Sequence, residues 1–391
     1  MLSGSHRTSG AAQIVTNRSP PWLGALEPIV QSVIAPAATD IDRSGAFPRA
    51  AITSLSEAGL LGLLSSKEIG GLGEQHRAAT YVVERIAREC ASTAMVVCMH
   101  YCGAAVIEKF GSQDIREAVA RDGHLTTLAF SESGSRSHFW APLSTAVRTD
   151  GGVRLDAKKS WATSAGEVDS YVWSSRPIEA EGASTIWLVP GRARGLTVTG
   201  SFDGLGLRGN HSSPVQAEGV LVPEQAMLGA DGQGLEIMDG TILPCFQLMN
   251  AAGSLGICES ALQKTISHLM TARFEHLGQT LSQQPVARAR LARMKIRTDL
   301  LRSLLEDTLV ALETGREDAM MRVLEIKAVG GETALEVTDL AMRLCGGAAF
   351  RKELGLERHF RDARASTVMA PTLDALHDFI GRTLTGLPLV G

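Results

Sequence analysis

The feature that most constrains this chain is a change of period along it. From about Trp22 to His124 apolar residues recur at helical spacing, most clearly over Pro48 to Ala58 and Thr80 to Phe110. Between about Leu125 and Met227 that spacing gives way to short β-prone runs at Ser144 to Thr149, Val153 to Ala157, Ser170 to Ser174, Thr185 to Val189 and Leu196 to Thr199. Asp150-Gly151-Gly152 joins the first two as a hairpin. From about Gly234 helical patterns return. Leu291, Met294, Thr298, Leu301, Leu305 and Leu309 share one face of a run from Val286 to Glu313. Further helices are drawn from Glu317 to Cys345, ending at Gly346-Gly347, and from Thr372 to Thr385. This order predicts an α+β protein of three blocks, an N-terminal helical domain over 22–124, a middle β domain over 125–233 and a C-terminal helical domain over 234–391. A loose tail over residues 1–21 precedes them.

Composition narrows the function classes. With 44% hydrophobic and 20% charged residues the chain is that of a folded globular protein. Lys and Arg number 38 against 42 Asp and Glu, so no dense positive surface points to nucleic acid or an anionic membrane. No run of 18 consecutive apolar residues occurs, and the N-terminal stretch lacks the apolar core of a secretory signal. The six cysteines show neither CxxC pairs nor metal-ligand spacing with histidine, which predicts reduced thiols, no metal and a cytoplasmic protein. No GxGxxG or GxxxxGK[ST] motif opens a helix after a strand, which excludes the common nucleotide-binding fingerprints. The serine-rich run Ser131 to His138 lacks the strand–GxSxG–helix setting of a hydrolase elbow.

Four stretches in order carry a resemblance: Leu128-Ala129-Phe130-Ser131-Glu132-Ser133-Gly134, Lys159-Ser160-Trp161-Ala162-Thr163-Ser164-Ala165-Gly166, Gly204-Leu205-Gly206-Leu207-Arg208-Gly209 with Val220-Leu221-Val222-Pro223, and Leu344-Cys345-Gly346-Gly347 with Arg361-Asp362-Ala363-Arg364. Over about residues 22–391 the chain resembles the acyl-CoA dehydrogenase superfamily of flavoproteins. The resemblance implies an N-terminal helical domain, a middle β-barrel-like domain and a C-terminal four-helix bundle, assembled as a homodimer or homotetramer with FAD at a subunit interface. Carried over by position, it implies flavin contacts from Ser131 and Thr163, packing from Phe130 and Trp161, and further cofactor contacts from Arg273, Arg343, Gly346, Gly347 and Thr372. Hydrogen bonds to the flavin edge matter because they tune its electron affinity.

The same resemblance exposes a gap. Removing the α-proton of an acyl thioester needs a carboxylate base, yet Met369-Ala370-Pro371-Thr372 puts Ala370 where the family has its glutamate. Where some members carry the base on the first C-terminal helix, this chain has Phe246 and Gln247, neither of which takes a proton at neutral pH. Three readings follow. The first is a dehydrogenase acting on an acyl-CoA or carrier-bound acyl group with a relocated base, Asp374, His377 or Asp378, and a separate electron acceptor. The second is a monooxygenase of the same fold that uses reduced FMN or FAD from a flavin reductase and O2, with His100 as the candidate proton donor. The third is a non-catalytic flavin- or ligand-binding protein. Arg136, Ser137 and His138, with Phe246, are the candidate substrate contacts, and Arg136 and His138 make the mouth cationic enough to meet a phosphate or carboxylate.

Overall fold

A computed structural model describes residues 20–135 and 138–389, so the expected tail lies outside it up to residue 19. The N-terminal part is helical: α1 (Pro21–Ile29), α2 (Ala35–Ser44), α3 (Arg49–Glu57), α4 (His76–Ala87), α5 (Ala91–Phe110) and α6 (Gln113–Arg121). The apolar run from Thr80 to Phe110 is two helices, not one, because Cys90 takes an extended backbone (φ −143°, ψ 100°) between them.

The middle strands are β1 (Thr126–Ala129), β2 (Thr145–Thr149), β3 (Gly152–Ala162), β4 (Ser170–Ser175), β5 (Thr185–Pro190), β6 (Leu196–Val198), β7 (Ser213–Val222) and β8 (Met227–Leu228). They form two four-stranded sheets, ordered β1-β4-β5-β8 and β2-β3-β7-β6. β1 and β4 pair in parallel, whereas the other pairs in these sheets are antiparallel. β4 is buried along its whole length, while β3 alternates and so presents one face inward and one outward.

The C-terminal part comprises α7 (Gly234–Ile237), α8 (Leu243–Thr271), a small hairpin of β9 (Arg273–Phe274) and β10 (Gln279–Thr280), α9 (Pro285–Thr314), α10 (Ala319–Cys345), α11 (Gly347–Phe350), α12 (Leu356–Val368) and α13 (Leu373–Leu384). α8 is the central pillar, packing on α10 and α9 within its own block and on α4 and α5 across it. α5 and the helical stretch Gly234–Thr271 are long and apolar enough to cross a membrane, yet 78% and 89% of their most apolar windows are buried. Their apolar surface is therefore spent on the core. All six cysteines are free and buried.

Candidate active site

A cavity of about 980 Å³ opens where the middle strands face the C-terminal helices. Two strand ends build its β side. β1 stops at Ala129, and the next residues turn across β3, tied there by the Ser160 N–H donating to the Ser131 carbonyl (2.9 Å). On β3 the strand alternation turns Ala162 inward and Trp161 outward, leaving the indole 61% exposed and lining the cavity. Phe202 meets it edge-on, 6.3 Å between centroids. Thr163 follows, its hydroxyl 3.1 Å from that of Ser212.

An ion pair beneath this wall fixes it. Glu132 is buried and accepts from Lys159 Nζ (2.6 Å), the Ser144 hydroxyl (2.6 Å) and the N–H groups of Leu143 (2.6 Å) and Ser144 (3.0 Å). Lys159 also donates to the Ser174 carbonyl (2.7 Å) and hydroxyl (3.0 Å). Burial lowers the Lys159 ammonium to about 8, partly offset by Glu132. Burial also opposes charge on Glu132, but Lys159, Ser144 and the Leu143 amide outweigh it and hold the carboxyl below its ordinary range. Four donors therefore occupy this carboxylate, and it is no free proton acceptor.

Helices build the opposite side. α5 contributes Met95 and Met99, the start of α8 contributes Leu243 and Phe246, and α12 with the turn after it contributes Arg361, Arg364, Ala365 and the stretch Thr367 to Pro371. Arg361 and Arg364 share a helix face, yet their charges are handled differently. Arg361 bonds Asp42 (2.6 and 2.9 Å) and Glu357 (2.7 Å) and is compensated. Arg364 stacks on Phe360, 4.4 Å from the ring centroid, and has no carboxylate partner among the described residues. Gly206 lets the loop pass α12 closely, since a Cβ there would stand 2.6 Å from the Arg361 carbonyl oxygen. On the inner side of α12, Asp362 accepts from the Leu207 N–H (2.6 Å), and burial pushes its carboxyl up to about 6.

Phe130, Ser131, Trp161, Thr163 and Phe246 all line this cavity, and Ala370 stands in its helical wall. Other residues singled out from the sequence do not. Asp374 and His377 are exposed on α13, which buries Leu376 and Phe379 and thereby turns its opposite face to solvent. His377 Nε2 lies 3.4 Å from Glu332, and neither residue borders the cavity. Thr372 spends its hydroxyl on capping α13, accepting from the Ala375 N–H (3.4 Å). Arg343 is exposed and paired with Asp339 (2.9 Å), and Arg273 is exposed on β9. Gly346 takes the left-handed φ of +54° that ends α10, and a Cβ on it or on Gly347 would meet nothing within 4 Å. These four face outward rather than into this cavity. His138 folds back on its own loop, with Nδ1 3.1 Å from the Ser135 carbonyl. Arg136 and Ser137 lie outside the described residues. His100 is buried with both ring nitrogens engaged, by the Leu61 carbonyl (2.9 Å) and the Thr126 N–H (3.2 Å), and burial lowers its pKa to about 4. Held neutral and away from the cavity wall, it is not the proton donor.

The sequence reading missed Met95 and Met99, although their i, i+4 spacing on an apolar helix marks one face. It also passed over Lys327, whose signal is a lone charge in the otherwise apolar Ile326 to Gly331.

Family models for the acyl-CoA dehydrogenase N-terminal, middle and C-terminal domains match residues 24–122, 127–220 and 232–385. The chain is 28% identical over 347 residues to the mitochondrial short-chain specific acyl-CoA dehydrogenase of Homo sapiens, covering 86% of this chain and 82% of that protein. It is 26% identical over 358 residues to the cyclohex-1-ene-1-carbonyl-CoA dehydrogenase of Geobacter metallireducens, covering 90% and 93%. Among solved structures, butyryl-CoA dehydrogenase from Megasphaera elsdenii superposes with a TM-score of 0.86 at 22% identity, covering 93% of this chain and 97% of that one. TdsC from Paenibacillus sp. A11-2, in complex with FMN and indole, superposes with a TM-score of 0.84 at 22% identity, covering 95% and 98%.

Proposed function

The chain belongs to the acyl-CoA dehydrogenase family, and on that premise we propose that it is a flavin-dependent oxidoreductase whose reaction needs no carboxylate base, a monooxygenase using reduced flavin and O2. One observation carries this reading: among the described residues the only carboxylate on the cavity wall is Glu132, which is fully engaged, while Ala370 offers no proton acceptor and Asp374 and His377 stand elsewhere. Exposed, flat Trp161 beside the hydroxyls of Ser131 and Thr163, in a cavity of this size, fits a planar heteroaromatic ring. A reduced flavin bound there supplies two electrons to O2, so that one oxygen atom enters the substrate and the other leaves as water.

The chain's own residues then have separate tasks. Trp161 and Phe130 flank the ring, and Ser131 and Thr163 hydrogen-bond its polar edge. Met95, Met99 and Phe246 hold the apolar part of the substrate and exclude water. Arg364 meets an anionic group, a carboxylate or carrier phosphate. We assign reduced FMN or FAD, supplied by a flavin reductase, as co-substrate. Exposed Arg273, Arg343 and Gly346-Gly347 are assigned to a second copy of the chain in a dimer or tetramer, in the cytoplasm. The relatives' names favour a second reading, dehydrogenation of an acyl thioester. The two separate cleanly. Anaerobic mixing of flavin-loaded protein with acyl-CoA esters should leave the absorbance of oxidised flavin unchanged. With FMN, NADH and a flavin reductase, one ¹⁸O atom from ¹⁸O2 should enter an aromatic probe such as indole. Bleaching by any ester would establish the dehydrogenase instead.

A further inference from the structure

Lys327 lies in the first half of α10, wholly buried, behind the helical wall of the cavity. Its Nζ donates to three backbone carbonyls, those of Ser366 (3.3 Å), Met369 (3.1 Å) and Pro371 (2.6 Å). Two of these flank Ala370. Nζ also stands 6.0 Å from the centroid of the Phe246 ring, on the same wall. A second anchor runs alongside: the Ser366 hydroxyl donates to Asn250 Oδ1 (2.6 Å), and Asn250 Nδ2 approaches Met369 Sδ at 3.4 Å. The stretch that carries Met369, Ala370 and Pro371 into the cavity is thus held from behind, by α10 through Lys327 and by α8 through Asn250.

We propose that Lys327 is the positioning residue of this site: by tying the carbonyls on both sides of Ala370 to α10, it sets where the Met369–Pro371 wall stands against the ligand. The match is one of numbers. An ammonium offers three N–H donors and the turn presents three acceptors; a neutral amine offers two. Among the described residues Lys327 has no carboxylate partner, and no titratable group from α8, α9, α11, α12 or α13, the helices packed on α10, acts on it. Burial alone lowers its pKa to about 7. The clamp is therefore complete in acid and loses a donor as the pH rises through neutrality.

The proposal rests on the flavin-and-substrate reading of the cavity for its ligand, but not for its first test. Hydrogen exchange of the full chain, followed on the peptide covering Ser366 to Leu376 and corrected for intrinsic rate, should show protection at pH 6 that falls about tenfold across pH 7 in the wild type, through local openings of this turn that leave Lys327 buried in α10, as one buried hydrogen bond is lost. Lys327→Arg, which keeps its charge at every pH, should flatten that profile, and Lys327→Met should lower protection at every pH. A flat wild-type profile overturns the proposal without any variant, should Lys327→Met not fold. In the second test, FMN affinity should weaken with the same midpoint in the wild type and not in Lys327→Arg. If FMN binds but its affinity ignores both pH and Lys327→Met, the clamp does not position the ligand and the proposal falls. If neither FMN nor FAD binds the wild type at all, the flavin reading fails, while the exchange result still decides whether Lys327 holds the turn.

Discussion

Two buried lysines stand behind opposite walls of one cavity, and they are not equivalent. Lys159, on β3, meets the carboxylate of Glu132 at 2.6 Å and lies 5.0 Å from the Trp173 ring centroid. Lys327, on α10, has a similar aromatic neighbour in Phe246 but only carbonyl oxygens for partners. The β wall thus closes its charge internally, with the donors of Lys159 and the oxygens of Glu132 all taken. The helical wall keeps an uncompensated cation whose protonation state is open near neutrality. One wall is built as a fixed surface and the other as an adjustable one. Ala370, the residue that the sequence resemblance sets at the position of the family's base, stands on the adjustable side.

Removing a partner tests this contrast most severely. Glu132→Ala leaves Lys159 buried and unpaired and should cost about 3–5 kcal/mol, enough to lower the unfolding midpoint sharply and reduce soluble yield. A variant as stable as the wild type would show that the β wall is not fixed by its ion pair. Lys327→Met should cost less, within about 2 kcal/mol, because the carbonyls it orphans are offset by relief of a buried charge. The pH dependence has a definite sign. With its native pKa near 7 against an ordinary 10.5, Lys327 is deprotonated in the folded chain and protonated in the unfolded chain between those values. Wild-type stability should therefore rise with pH over that window relative to Lys327→Met. Urea denaturation at pH 7 and pH 9 reads the difference, and a constant gap between the two proteins would contradict it.

A smaller effect probes the rim of the adjustable wall. Arg364→Ala should weaken binding of an anionic ligand about tenfold, the loss of one charge-assisted contact, with little change in stability because Arg364 holds no carboxylate among the described residues. Titration with an acyl-CoA and with a neutral thioester of the same acyl group measures it; equal losses for both would show that Arg364 does not meet an anion.

How far the sequence revealed this site depended on whether a residue's role is local. The strand runs are local: Val153 to Ala157 alternates and Asp150-Gly151-Gly152 turns, and both appear as β3 and its hairpin to β2. Trp161, near the end of that strand, and Thr163, just past it, were singled out through the family resemblance, and both line the cavity. Charge compensation is not local. Arg361 and Arg364 read alike in Arg361-Asp362-Ala363-Arg364, yet a partner 319 residues away, Asp42, joins the nearby Glu357 in compensating the first, while the second has no carboxylate partner among the described residues. Lys327 is the same case, since its three acceptors lie about 40 residues further on and are backbone groups with no side-chain signature.

The last prediction is the smallest in size and bears on the base. Asp374 and His377 were natural candidates because they sit next to Met369-Ala370-Pro371 in the chain. What separates them from the cavity is helix geometry. Thr372 caps α13, and burial of Leu376 and Phe379 fixes the rotation of that helix, which leaves positions 374 and 377 pointing to solvent. Asp374→Asn and His377→Ala should therefore leave FMN affinity and turnover within about twofold of wild type, as surface changes away from partners do. A large loss of turnover at unchanged flavin affinity would mean that α13 rotates to deliver a base when substrate binds. In that event the helical wall would be adjustable through a whole helix rather than through Lys327, and the dehydrogenase reading would return with Asp374 as its base.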